Sequence, residues 1–233
     1  MPHWAECILL FAVYSLLGWI CESTCCSIQA KKFINRGFLN GPFCPIYGVG
    51  ALLIIKLLAP FSANIIVLYL ASLFLTSILE YFTGFAMEKL FHAKWWDYSH
   101  RRWNIHGRVC LGNSLIFGVM GVVVMRVVHP FVMNILERIP SFLIPFLAAG
   151  LAVYFIGDTI VTVHTILDFN KKMAELQKVL DEIREKSHAL LEQKKRNMEL
   201  AIESRLSADR KPYTESFLLS IFARNFKKRH INK

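Results

Sequence analysis

The chain has 233 residues, of which 55% are hydrophobic and 19% charged, with a formal net charge of +10. A composition this apolar excludes an ordinary soluble domain, which needs more polar side chains to cover its surface. The positive balance alone would suit nucleic acid, but Lys and Arg gather between and after the apolar runs, which is a membrane-topology pattern; no nucleic-acid partner is expected.

Five apolar runs are long enough to cross a bilayer at about 20 residues per helix: Trp4–Ile28, Pro42–Pro60, Ser62–Leu90, Val109–Met133 and Ser141–Leu167. The expected fold class is therefore all-α, a multipass transmembrane helix bundle. Pro42, Pro45, Gly48 and Gly50 loosen the start of the second run, which reads as a span or as a broken, re-entrant helix. The N-terminal stretch lacks a basic leader, carries Glu6 and flows into a full-length span, so the first helix is expected to remain in the mature protein. Lys31, Lys32 and Arg36 fall in the first connection, and Lys89, Lys94, Arg101, Arg102 and Arg108 in the third. The positive-inside rule makes both cytoplasmic, placing the N-terminus outside and the C-terminus inside the plasma membrane.

After Leu167 the composition turns charge-rich. Residues 168–206 read as a long cytoplasmic helix continuing the last span, with an apolar seam interrupted by Lys186, Gln193 and Asn197 that does not support a strong coiled coil. Residues 207–233 mix Phe217, Leu218, Ile221, Phe222 and Phe226 with Arg224, Lys227, Lys228 and Arg229, as a basic amphipathic or disordered tail would. The domain organisation expected is thus 1–167, 168–206 and 207–233. Membrane lipids are the expected partners, and a homo-oligomer is compatible with the pattern.

Chemistry concentrates in the first half. Glu22 and Glu80 lie inside apolar runs, where an ionised carboxylate needs a cation, a hydrogen-bond donor or a wet cavity. Each is followed by a polar segment. In the first, Gly37, Gly41 and Gly48 permit tight turns, Pro42 and Pro45 restrict the backbone, and Asn35, Arg36 and Asn40 supply donors suited to a compact anion. In the second, Trp95, Trp96 and Tyr98 suit the membrane interface, while Asp97, Asn104 and Arg108 are chemical candidates, with Arg108 beside Gly107 at the mouth of a span. One cluster of Glu22, Arg36, Glu80, Asp97, Asn104 and Arg108 is geometrically permitted. Two readings of the carboxylates stay open: a structural ion pair, and ligand binding or proton handling. Asp158 in the last span belongs to the same level or makes a local helix-to-helix hydrogen bond.

Cys7, Cys21, Cys25, Cys26, Cys44 and Cys110 lie in or beside spans without a C-x-x-C pair and read as reduced, packed thiols. His92, His100 and His106 match no zinc spacing, and neither a phosphate-binding loop nor a nucleophile elbow is present. No cofactor and no metal are expected.

The stretches S-L-L-G-W-I-C-E-S from Ser15, N-R-G-F-L-N-G-P-F-C-P-I-Y-G from Asn35, L-E-Y-F-T-G from Leu79, and W-W-D-Y from Trp95 with N-I-H-G-R-V-C-L from Asn104 occur in that order. Together they resemble the type IV, CmpB-like family of ABC-transporter permeases, over roughly Ser15 to Gly121. The resemblance implies a small multipass permease and a separate ATPase subunit docked on it. By motif it points to Glu22, Asn35, Arg36, Gly37, Asn40, Gly41, Pro42, Pro45, Tyr47, Gly48, Glu80, Trp95, Trp96, Asp97, Tyr98, Asn104, Gly107 and Arg108. The leading expectation is a transporter component that binds a polar or anionic solute, or a lipid headgroup, in a cytoplasm-facing pocket. An intramembrane lipid-modifying enzyme and a structural membrane scaffold are the alternatives.

Overall fold

The computed structural model describes residues 2–230, with side chains through residue 207. The expectation for the tail's side chains lies outside the described residues. The chain is nearly all helical: α1 (His3–Ala30), α2 (Pro45–Leu57), α3 (Ile65–Phe91), a two-residue-per-strand hairpin of β1 (Asn104–Ile105) and β2 (Val109–Cys110), α4 (Leu111–Val123), α5 (His129–Glu137) and α6 (Ile144–His230). A π-helical turn, Val124–Val128, joins α4 to α5, so Leu111–Glu137 runs as one 27-residue rod. Among the described residues four helices are long and apolar enough to cross a membrane: α1, α3, the α4–α5 rod and the first part of α6. One compact unit ends at Asn170 and a second begins at Lys171, within α6. Over residues 171–207 the second is a charged helix with exposed side chains, as its composition dictates.

The bundle pairs α1 with α2 and α3 with α4 through small residues. A Cβ on Gly48 would overlap Ser15 and Phe11 of α1, and one on Gly18 would overlap the Tyr47 ring. On the other pair Gly118 faces Tyr69, Gly121 faces Ser72, and Ser77 donates to Ser114 at 2.7 Å. Close backbone approach at small residues is how helices associate where lipid removes the hydrophobic drive between them. The N-terminal turns of α6 close the core, with Ile144 and Ala148 packed among Ala5, Leu9, Leu10, Tyr14, Ala51, Val132 and Leu136. On α3, Ile66, Leu70, Phe74, Ile78 and Phe82 recur every fourth residue and all face outward. An apolar stripe of that extent is stable against lipid and not against water.

The second apolar run forms a helix of only 13 residues, about 20 Å long and short of a full crossing. What precedes it is extended chain that doubles back along α1. Ile34 N–H donates to Ser27 Oγ at 2.9 Å and Arg36 N–H to Ser23 Oγ at 3.1 Å; Trp19 Nε1 donates to Asn35 Oδ1 at 2.6 Å; Cys44 N–H reaches the Ser15 carbonyl at 3.0 Å. From Ser27 back to Ser15 the segment descends about 18 Å at 1.5 Å per helical residue. The run expected over Pro42–Pro60 is therefore broken: non-helical chain to Cys44, then a half-length helix opened by Pro45, whose missing N–H is no loss at the first helical position, and ending with Lys56 Nζ beside Cys7 Sγ near the start of α1.

Candidate functional site

Non-helical chain at such depth must have its backbone polar groups satisfied by protein. Ser23 and Ser27 do this from α1, and Asp158 does it from α6. Asp158 Oδ1 accepts from Asn40 N–H at 3.2 Å and Oδ2 from Gly41 N–H at 3.0 Å, while Thr162 Oγ1 takes Asn40 Nδ2 at 2.9 Å. Asn40 is thereby committed to holding the segment. A Cβ at Gly41 would overlap the Tyr154 hydroxyl, and at Gly37, where φ is +131°, it would press on the Phe43 carbonyl; both positions require glycine.

Arg36 is positioned from both ends. Its N–H is tied to Ser23, its carbonyl accepts from Cys44 Sγ at 3.7 Å, and its Nε donates to Cys26 Sγ at 3.3 Å. Among the described residues its two terminal nitrogens have no hydrogen-bond partner. Glu22 is half-buried and takes a 3.8 Å contact from Cys44 Sγ; it lies within electrostatic range of Arg36 but beyond ion-pair distance. The bond to Cys26, and then the charge of Glu22, favour the charged guanidinium still further.

The second connection is folded on itself. Asp97 Oδ1 accepts from Ser99 N–H at 2.9 Å and Ser99 Oγ at 2.5 Å, and Oδ2 pairs with Lys94 at 3.3 Å. These bonds, the Ser99 hydroxyl foremost, hold the Asp97 carboxyl down to about 2. Asn104 donates to the Arg101 carbonyl at 2.8 Å and accepts from Gly107 N–H at 2.9 Å. His106 and Gly107 both have positive φ at the hairpin tip, and His106 Nδ1 meets the Tyr81 hydroxyl at 3.1 Å. A left-handed position favours Asn or Gly, which explains why a smaller or polar residue would fit where His106 stands. Arg108 grips Glu88 with Nε at 3.0 Å and Nη2 at 2.6 Å, with Tyr81 and Phe85 against its plane. The Glu88 bond is the main reason its guanidinium holds its proton even more firmly than usual. Trp96 Nε1 donates to the Arg108 carbonyl at 2.8 Å and its ring lies over Gly84; Trp95 stacks with Phe38 and Phe91.

The six residues grouped from sequence thus separate. Asp97 and Asn104 are consumed within their own connection, and Arg108 meets Glu88 of α3 rather than Glu22, Glu80 or Asp97. Tyr98 is the bridge between the segments: its hydroxyl donates to Glu80 Oε1 at 3.2 Å, and it lies within electrostatic range of both Arg36 and Tyr47. Burial, with the charge of Glu80 second, resists ionisation of that hydroxyl. Tyr47 sits against Gly18 and Phe117 and within range of Glu22. Sequence reading passed over Ser23, Cys26 and Ser27. Their signal was present, since Trp19, Ser23 and Ser27 recur every fourth residue on one face of α1.

An open groove of about 730 Å³ runs along α6, lined by Asn40, Gly41, Tyr154, Gly157, Asp158 and Thr165 among others. Among the described residues no cluster of His, Cys, Asp and Glu could hold a metal ion.

Apolar rods, a non-helical segment held by polar side chains of neighbouring helices, and lipid-facing surfaces together define a multipass membrane protein. The family model described as "Putative ABC-transporter type IV" matches residues 9–163, more than half of the chain, and the chain belongs to that family of membrane-transporter proteins. No curated protein and no solved structure matches it.

Proposed function

We propose that the protein is the permease-type component of a transporter and that it seats a polar anion, either a free solute or a lipid headgroup, against Arg36 at its cytoplasmic face. The observation that carries this is the state of Arg36: anchored through its backbone and Nε, yet with both terminal nitrogens uncommitted. A guanidinium so held presents a planar fork that matches phosphate or carboxylate oxygens, with little ordering left to do on binding. Lys31 and Lys32 add positive potential at the entrance, and Glu22, near but not bonded, limits how tightly an anion is retained. Arg108 is excluded as the anion contact because Glu88 already neutralises it. The groove along α6 is excluded because the Asp158 carboxylate backs it. The basic connections support the expected orientation, with the N-terminus outside and the plasma membrane as location. Family membership supports a separate ATPase as partner.

The test is binding by the full chain in nanodiscs, read by Trp fluorescence, since the Trp19 indole is bonded to Asn35 beside Arg36. Inorganic phosphate in phosphatidylcholine discs probes a free solute; replacing part of that lipid with phosphatidylglycerol probes a headgroup. Saturable quenching in either arm, weakened in Arg36→Gln, is the expected result. Identical responses from wild type and Arg36→Gln in both arms sink the proposal and leave a scaffold role. A new lipid product after incubation would instead select the enzyme alternative.

A further inference from the structure

Among the intramembrane carboxylates Glu80 is the least provided for. Asp158 takes two backbone N–H groups and Glu88 takes the fork of Arg108. Glu22 is half-buried with a thiol contact. Glu80, by contrast, is 5% exposed on α3, eleven residues or about 16 Å of helix before Phe91. Its Oε1 accepts one bond from the neutral Tyr98 hydroxyl, and its Oε2 has no partner among the described residues.

The groups around it are few. From the connection 92–110 comes Tyr98, with Cys110, and Asn113 of α4, near the Tyr98 hydroxyl. Behind Tyr98, on the first connection and α2, stand Arg36 and Tyr47, within electrostatic range of Tyr98 but not bonded to Glu80. On α3 itself Tyr81 is turned to His106 and Arg108, and Ser77 to Ser114. No cation lies within ion-pair distance of Glu80 among the described residues. A bare carboxylate with one neutral donor is the arrangement that an apolar span tolerates least. A metal cation would need about six oxygens, and Glu80 with Tyr98 offers three. A proton needs only one.

We propose that Glu80 is a buried proton-binding site and that the Tyr98 hydroxyl is its latch. In the protonated form the Oε2–H bond removes the charge, and Oε1 remains the carbonyl acceptor for Tyr98. Release breaks that O–H bond and passes the proton to water, leaving a carboxylate that holds Tyr98 by a stronger, charge-assisted bond. Because Tyr98 is also in range of Arg36, proton occupancy and the charge state near Arg36 influence each other reciprocally. The proton site itself requires nothing to be bound at Arg36.

Infrared spectroscopy of the full chain in phosphatidylcholine nanodiscs, without added anion, tests this between about pH 5 and pH 9. The wild type should show the C=O stretch of a protonated carboxyl at neutral pH, absent in Glu80→Gln and retained in Glu22→Gln and in Arg36→Gln. Tyr98→Phe should move the band to higher frequency by deleting the hydrogen bond, which gives a second reading should Glu80→Gln fail to fold. A wild type without the band at neutral pH, a band unchanged in Glu80→Gln, or one indifferent to Tyr98→Phe overturns the proposal. Loss of anion binding in Arg36→Gln with the band intact would support both sites separately.

Discussion

The two polar connections of this chain draw on the same residue types and reach opposite ends. In residues 92–110 every such group has its partner: Asp97 serves Ser99 and Lys94, Asn104 serves its own hairpin, and Arg108 pairs with Glu88 of the preceding helix. Residues 31–44 are held from outside, by Ser23 and Ser27 of α1 and by Asp158 and Thr162 of α6, so that Arg36 keeps its terminal nitrogens for something else. An arginine paired with the preceding helix is architecture. An arginine that neighbouring helices place and leave unpaired is the binding group we propose.

The contrast can be broken most severely at Asp158. Asp158→Ala strips the acceptor from Gly41 N–H and one of two acceptors from Asn40 N–H, which keeps Thr162 Oγ1 at 3.3 Å, and should cost roughly 1–3 kcal/mol, read as a lowered thermal midpoint in detergent. Protease sensitivity should rise in 31–44 and stay unchanged in 92–110. Next comes Gly48→Leu, which forces side-chain atoms into Ser15 and Phe11 and should destabilise by about 1–3 kcal/mol, again by thermal midpoint, with α1 and α2 pushed apart. A smaller, local effect is expected from Arg108→Gln: faster cleavage within 92–110, no change in anion binding.

The smallest effect is a pH response. The Asp97 carboxyl lies below its ordinary value near 4, so its bonds to Ser99 and Lys94 contribute fully above that value and are lost as pH falls toward about 2. Fluorescence from Trp95, Trp96 and Trp103 should hold steady to about pH 4 and change below it, a transition absent in Asp97→Asn. A change already complete at about pH 5 would point to some other group.

The long apolar spans and the charged extension of α6 were legible in the sequence, because hydropathy is a one-dimensional signal. Pro45 and the glycines around it marked the break before α2. The path of the non-helical chain along α1 was not legible, because it depends on Ser23, Ser27 and Asp158 meeting backbone N–H groups far away in sequence. Nor was the division of labour between Arg36 and Arg108. Nothing in the sequence pairs Glu88 with Arg108, and only the fold of the hairpin brings the two together at 2.6 Å. Partner choice among like residues is a three-dimensional property.

The most direct measurement is anion affinity of three full-length proteins in nanodiscs: wild type, Arg36→Gln and Arg108→Gln, titrated with inorganic phosphate and with phosphatidylglycerol. Loss of a charge-assisted contact worth about 1.5–3 kcal/mol predicts a tenfold or greater weakening for Arg36→Gln, with Arg108→Gln close to wild type. Equal weakening in both variants, or weakening in Arg108→Gln alone, would contradict the assignment of the free guanidinium as the anion seat.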